Sequence, residues 1–142
     1  MGPGVAPSSM RTESAPMDLR VPFAASSVGM ARQRLRRWMA AQNIAGERIE
    51  EARVVLSELV GNAVRHARPL SDGTLLVTWC LDGDRLRLSV TDGGGAGRPH
   101  TVHPSPSAVS GRGMLIVDSL ALSWWVDQSR RGTTVHALLP VR

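Results

Sequence analysis

Hydrophobic residues recur along the chain with two spacings, one typical of helices and one typical of strands. The helical spacing predicts three helices, at 26–42, 50–67 and 114–120. Alternation of apolar and polar residues predicts five strands, at 18–23, 74–81, 85–92, 123–127 and 133–139. Ser26 or Ser27 is expected to cap the first helix, and Pro22 favours an edge position for the first strand.

Two segments lack any apolar periodicity. Residues 1–16 are rich in Pro, Gly, Ser and Ala and are expected to form a disordered tail before a domain at 17–142. Residues 93–110 begin with the sequence GGGAG and continue with Pro, His and Ser. A connection of this length inside a compact domain is usually functional, so we expect a mobile lid.

The composition favours one soluble domain. The chain has 142 residues, of which 42% are hydrophobic, enough for a single core. No apolar run approaches the roughly 20 residues that span a bilayer, and the N-terminus lacks a signal-peptide pattern. A single cysteine, Cys80, excludes an internal disulfide, and no Cys/His metal spacing occurs. We therefore expect a cytoplasmic protein without a membrane partner.

All of the positively charged side chains of this sequence are arginines. The net charge is +5, and all 17 basic residues are Arg. Without lysine, Schiff-base chemistry and a P-loop are excluded. The charge suits nucleic acid or an acidic protein, but no nucleic-acid-binding motif supports direct contact with nucleic acid. The first predicted helix carries a basic face that is either solvated or a docking surface, at Arg32, Arg34, Arg36 and Arg37.

The second predicted helix carries a carboxylate and an amide in an apolar setting. Glu58 and Asn62 lie four residues apart and share one helix face, where Val55, Leu59 and Ala63 flank them. A buried carboxylate is costly unless it finds a partner. The pattern indicates a functional site, with the edge of an ordinary amphipathic helix as the alternative.

Asp92 ends a strand on the row of residues that faces the core. It has the same parity as Leu86, Leu88 and Val90. An acid at such a position is costly unless it accepts hydrogen bonds from a specific group, such as the exocyclic amine of adenine. Glycines follow directly, which would let the chain approach a ligand closely.

Two further glycine sequences precede the last helix and the last strand. Gly-Arg-Gly at 111–113 stands where bare N–H groups and the helix dipole would suit an anion, although a simple turn at the helix start is the alternative. Gly-Thr-Thr at 132–134 opens the final strand. Each of these features is weak alone, but their order along the chain is specific.

In that order, the sequences resemble the motifs of the Bergerat-fold (GHKL) ATPases, which include gyrase, Hsp90, histidine kinases and MutL. The sequence ELVGNAVRHA at 58–67 resembles the N box, and DGGGAG at 92–97 resembles the first glycine box. The second glycine box is resembled by GRGMLIVD at 111–118, and the threonine motif by GTTV at 132–135. The likeness covers about residues 18–140 and is greatest to the anti-sigma-factor serine/threonine kinases. It implies an α+β fold, a two-layer α/β sandwich whose mixed, mostly antiparallel sheet is covered on one face by helices.

The resemblance also implies roles for the matching residues. Asn62 would ligate Mg²⁺, and Glu58 would be the general base toward a partner's serine. Asp92 would read the adenine amino group of ATP, and Gly94 would let the chain pass close to the base. The phosphates would be bound at the second glycine box, at Gly111, Arg112, Gly113 and Met114. Either Thr133 or Thr134 of the threonine motif would close the adenine side. One departure is Ala96, which stands at the second glycine of the first box.

The implied function is an ATP- and Mg²⁺-dependent protein serine/threonine kinase. Its substrate would be a STAS-type anti-anti-sigma protein, it would also sequester a sigma factor, and it could form a homodimer. In the resembling kinases the start of the first helix faces the partner, which singles out Arg32. The alternative is an ATP-binding switch that holds a partner without transferring phosphate. Glu58 favours the kinase, because a pure binder needs no base. A gyrase-like or Hsp90-like ATPase is disfavoured, because the chain leaves no room for a transducer domain.

Overall fold

A six-stranded sheet carries the domain in the computed structural model, which describes residues 16–94, 100–102 and 111–142. Its strands are β1 (Met17–Pro22), β2 (Thr74–Asp82), β3 (Arg85–Asp92), β4 (His100–Val102), β5 (Ser123–Gln128) and β6 (Thr133–Pro140). Their order in the sheet is β1-β2-β3-β6-β5-β4. Every pairing between these described strands is antiparallel, so the sheet is not mixed.

Three helices cover one face of this sheet: α1 (Ser26–Ala41), α2 (Gly46–His66) and α3 (Gly111–Leu120). The helix α2 lies at the centre and packs against α1, α3, β3 and β6. Its apolar stripe is buried along its whole length, because residues three and four apart share a helix face. The stripe consists of Ile49, Ala52, Val55, Leu56, Leu59, Val60 and Ala63. The predicted α+β two-layer fold is confirmed.

Alternation along the strands decides which side chains face the helices. In β2 the residues Leu75, Val77, Trp79 and Leu81 are buried, whereas their neighbours of opposite parity are partly exposed. This period of two is the signal that predicted the strands, and it gives the sheet one apolar face and one face that no described helix covers.

The predicted elements are present, with ends that differ by a few residues. Helix α2 begins at Gly46 rather than near residue 50, and α3 begins at Gly111 rather than Met114. The strand β1 lies at an edge of the sheet, as Pro22 predicted. The strand β4 was not predicted, because its three residues carry no apolar alternation and owe their conformation to pairing with β5.

The prediction that a serine caps α1 was wrong. The residue before the helix is Ala25, which makes no side-chain cap. Ser27 instead lies buried in the first turn, where its hydroxyl donates a hydrogen bond to the carbonyl oxygen of Pro22 at 2.5 Å. The hydroxyl therefore ties α1 to the end of β1.

Two expectations fall mainly on residues that the structure does not describe. The predicted tail at 1–16 lies outside the described residues except for Pro16. The predicted lid at 93–110 is described only at 93–94 and in β4, and Ala96 lies outside the described residues. Among the helices that are described, none combines the length and the apolar character needed to cross a membrane.

The helix-free face of the sheet carries a chain of polar contacts. The Ser89 hydroxyl lies 2.8 Å from Nδ1 of His136, whose Nε2 lies 2.9 Å from Oδ2 of Asp127. Trp125 stacks on the imidazole at a ring separation of 4.9 Å. Burial lowers the pKa of His136. The contact with Asp127 opposes this lowering, whereas the charge of Arg87 adds to it. The neutral imidazole is the form that this environment favours.

The packing of α1 on α2 predicts a large effect of truncating Leu35, which is fully buried. Leu35→Ala should lower the free energy of unfolding by about 2–5 kcal/mol, because the lost contacts leave a cavity. Leu122→Ala is the matched control, since Leu122 is 55% exposed, and it should change stability by less than about 0.5 kcal/mol. Urea unfolding followed by circular dichroism measures both. Equal losses in the two variants would contradict this assignment of the core.

Candidate functional site

A cavity of about 360 Å³ opens at the end of the sheet where β3 finishes and β6 begins. It is lined by His66, Ala67, Arg68, Asp92, Gly94 and Thr133. Asp92 and Thr133 are paired residues of β3 and β6, so their side chains lie on the same, helix-covered face of the sheet. The volume falls in the range of about 300–1,000 Å³ that is typical of small-molecule sites.

Asp92 is the buried carboxylate of this cavity, with only 6% of its surface exposed. The backbone N–H of Gly94 donates a hydrogen bond to its Oδ1 at 2.5 Å, the one hydrogen bond to this carboxylate among the described residues. Burial raises the pKa of Asp92 above its ordinary value, and the Gly94 bond opposes this rise in part. The ionised carboxylate keeps acceptor capacity toward the cavity, which suits a ligand that donates hydrogen bonds.

Three backbone segments meet behind Asp92 and hold it in place. The N–H of Gly93 donates to the carbonyl oxygen of Arg68 at 2.7 Å. Gly94 has a φ of 62°, a left-handed conformation that favours glycine. A Cβ atom on Gly132 would overlap the carbonyl oxygen of Asp92, so only glycine permits this approach. The end of β3, the residues after α2 and the turn before β6 are thereby locked together.

The helix α2 ends at the cavity and carries the two polar residues that the sequence singled out, although neither of them is among the residues that line the cavity. Glu58, Asn62 and His66 lie on successive turns of α2, and His66 lines the cavity. Glu58 and Asn62 are both partly buried. The Oδ1 atom of Asn62 is buried and has no hydrogen-bond partner among the described residues.

An unpaired buried amide oxygen is unfavourable in the free protein and is therefore informative. A carboxamide oxygen is the type of ligand that Mg²⁺ takes, usually together with waters and substrate phosphates. The orphaned Oδ1 of Asn62 fits that requirement, so the residues present are compatible with the predicted metal.

A family model described as the histidine kinase-like ATPase domain matches residues 21–138 of the chain. The matched span is most of the chain and includes α2, the cavity and the three strands nearest to it. The chain belongs to the histidine kinase-like ATPase domain family. The resemblance to the Bergerat-fold ATPases that the sequence motifs predicted is confirmed.

The fold of this ATPase domain is similar to a crystal structure of the RsbU and RsbW domains of Rv1364c from Mycobacterium tuberculosis. The TM-score is 0.68 at 22% sequence identity, and the match covers 90% of this chain and 33% of the other. The chain thus spans about one third of the length of that protein, and the likeness is one of fold. Among curated proteins, no sequence matches this chain.

The structure separates the two threonines of the ATPase threonine motif. Thr133 faces the cavity. Thr134 has the opposite parity, and its hydroxyl lies 2.8 Å from that of Thr91 on the helix-free face. Adjacent residues of a strand point to opposite faces, so of these two alternatives Thr133 is the one whose side chain faces the cavity. A nucleotide contact by either threonine stays a prediction.

The second glycine box of the ATPase domain forms the start of α3. Gly111, Arg112 and Gly113 make the first turn of this helix, which packs against α2. The side chain of Met114 is buried in the core, so this residue could contact a ligand through its backbone only. Nucleotide contacts by these residues stay predictions.

Sequence reasoning missed three residues that line the cavity, His66, Ala67 and Arg68. Their proximity could have been anticipated, because His66 and Ala67 end the N-box sequence at 58–67 and Arg68 follows it directly.

The raised pKa of Asp92 predicts a pH dependence of stability in the absence of ligand. Since the carboxyl binds its proton more tightly in the folded chain, its contribution should be lost as the pH rises from 3.8 through the raised pKa. The unfolding free energy of the wild type should therefore fall relative to that of Asp92→Asn over this range. Urea titrations at several pH values measure the difference. A difference that stays constant with pH would contradict the raised pKa.

Proposed function

We propose that this chain is an ATP- and Mg²⁺-dependent protein serine/threonine kinase of the anti-sigma-factor type. Its substrate is a STAS-type anti-anti-sigma protein, and it also sequesters a sigma factor. The observation that carries the proposal is the polar face of α2. Glu58 and Asn62 are partly buried there, the Oδ1 of Asn62 has no hydrogen-bond partner among the described residues, and His66 on the same face lines the cavity of Asp92. The motif resemblance and the fold likeness to a chain that contains an RsbW domain support the choice of class.

Recognition of adenine is assigned to Asp92. One of its oxygens accepts the Gly94 N–H, and the remaining acceptor capacity receives the exocyclic amine of adenine. Guanine carries a carbonyl at the corresponding position, which would face the carboxylate as a second acceptor. A buried acceptor without a donor is costly, so the site discriminates against guanine.

Phosphoryl transfer is assigned to the face of α2. Asn62 would hold Mg²⁺, which would supply positive charge to offset the charge of the phosphates. Glu58 lies one helical turn away, orients the hydroxyl of the partner's serine or threonine and accepts its proton. The hydroxyl oxygen forms the new bond to the γ-phosphorus while the bond to the bridging oxygen breaks, and ADP leaves. The backbone N–H groups of Gly111 and Gly113 bind phosphate oxygens at the start of α3.

The protein partners are assigned to the side of the molecule that carries α1. Arg32 is partly buried, and its Nε has no hydrogen-bond partner among the described residues. Because this Nε atom is itself buried, the choice of Arg32 follows from the resembling kinases, in which the start of the first helix faces the partner. A guanidinium at that place would fit an acidic patch of a partner. Formation of a homodimer is part of the same proposal.

If the cavity is the nucleotide site, ADP binding should depend on the side chains of Asp92 and Asn62. Asp92→Asn should weaken ADP at least about tenfold, because a hydrogen bond to a charged group is lost. Asp84→Asn, an exposed acid in the β2–β3 turn, is the matched control and should leave the affinity unchanged. Asn62→Ala should remove the increase in ADP affinity that Mg²⁺ produces. Calorimetry with and without Mg²⁺ measures each constant. Absence of ADP binding to the wild type at millimolar ligand would refute the nucleotide site.

The assignment of Glu58 as the general base predicts that Glu58→Gln slows phosphate transfer to a bound STAS partner by about 10²–10⁴-fold. Affinity for ATP and for the partner should stay nearly normal, because glutamine keeps the shape of the side chain. Glu47→Gln, at an exposed position in the first turn of α2, serves as the control. Transfer is followed with radiolabelled ATP in single-turnover conditions.

Two outcomes of that experiment would contradict the proposed role of Glu58, and the first of them would favour the alternative function. If the wild type binds STAS proteins but transfers no phosphate to any of them, the chain is an ATP-binding switch that holds its partner without chemistry. Undiminished transfer by Glu58→Gln would instead show that the base lies elsewhere.

A further inference from the structure

A second cavity, of about 490 Å³, lies near the same end of the sheet. We name it the arginine cavity, and its lining residues are Arg20, Leu70, Ser71, Asp72, Arg130 and Arg131. Arg20 has the opposite parity to Val21, which is buried under the helices, so Arg20 belongs to the helix-free face. The residues after α2 contribute to both cavities, with Arg68 in the first and Leu70 in the second.

The charges around the arginine cavity do not cancel. Asp72 lies 3.2 Å from Nη1 of Arg20, which also donates to the Thr74 hydroxyl at 3.3 Å. The side-chain hydrogen bond from Thr74 lowers the pKa of Asp72, and the Arg20 charge adds to this effect. Asp72 is thus ionised at neutral pH and balances one of the three arginines.

The other two arginines stand on a turn whose backbone is fixed. The Ser129 N–H donates to the Gly132 carbonyl at 2.8 Å, and the Arg131 N–H donates to the Ser129 hydroxyl at 3.2 Å. Within the described part of the chain, the guanidinium groups of Arg130 and Arg131 make no hydrogen bond or ion pair, and both residues are exposed. Two unpaired cations therefore border one concave surface.

We propose that the arginine cavity binds a small anion of the oligophosphate class, at a site separate from that of ATP. Arg130 and Arg131 supply the guanidinium forks, which match phosphate oxygens in pairs, and the Ser71 hydroxyl adds a neutral donor. The volume suits a small ligand. A free anion is favoured over the backbone of nucleic acid, because the arginines border a cavity rather than follow a stripe along the surface.

Pyrophosphate is the probe that tests this site. Its affinity for the full chain is measured by calorimetry in Mg²⁺-free buffer at constant ionic strength. Three proteins are compared: the wild type, Arg130→Gln/Arg131→Gln, and the control Arg85→Gln/Arg142→Gln. The control removes the same charge from exposed arginines outside the cavity, one of them in β3 at the opposite end of the sheet. Thermal unfolding verifies that each variant is folded.

The expected result is binding by the wild type that is at least about tenfold weaker in Arg130→Gln/Arg131→Gln and nearly unchanged in the control. Equal affinity in the wild type and Arg130→Gln/Arg131→Gln would overturn the proposal, because pyrophosphate would then bind outside the arginine cavity. Equal weakening in both double variants would show a general charge effect and would overturn it as well. The proposal also fails if the wild type does not bind pyrophosphate. It fails as well if duplex DNA displaces bound pyrophosphate from the wild type and binds more weakly to Arg130→Gln/Arg131→Gln than to the control. None of these outcomes depends on kinase activity.

Discussion

The pairing of β3 with β6 is the constraint on which the candidate site depends. It sets Asp92 opposite Thr133 on the helix-covered face and brings the turn before β6 against the carbonyl of Asp92. Because side chains alternate along a strand, a slip of β3 by one residue would turn Asp92 to the other face of the sheet. The apolar rows of both strands prevent that slip, since it would expose Leu86, Leu88 and Val90 to solvent.

The same reasoning explains how far the sequence predicted the molecule. The helices and five of the six strands follow from periodicity, because the core requires apolar residues at those spacings. The unusual positions of Glu58, Asn62 and Asp92 are visible as polar residues on apolar rows. Their motif order then indicated the family that the comparison confirms. The predicted roles of these residues in catalysis and binding still await experiment.

Other features depend on tertiary contacts that leave no local pattern. The strand β4 exists through its pairing with β5, and the position of Ser27 is decided by the carbonyl of Pro22 across a turn. The distinction between Thr133 and Thr134 required the register of β6, which the sequence Gly-Thr-Thr does not specify. The arginine cavity unites β1 with a turn more than a hundred residues later, so no window of sequence could have shown it.

The two buried polar groups of the site have a consequence for the lifetime of the protein. Without ligand, the carboxylate of Asp92 is desolvated, and the Oδ1 of Asn62 has no partner within the part of the chain that the structure describes. Both conditions favour the unfolded chain. A bound molecule that satisfies them shifts the equilibrium toward the native state by mass action. Proteases and chaperones act on the unfolded fraction, so the empty form is cleared faster than the filled one. The cellular amount of the protein would then follow the supply of its ligand.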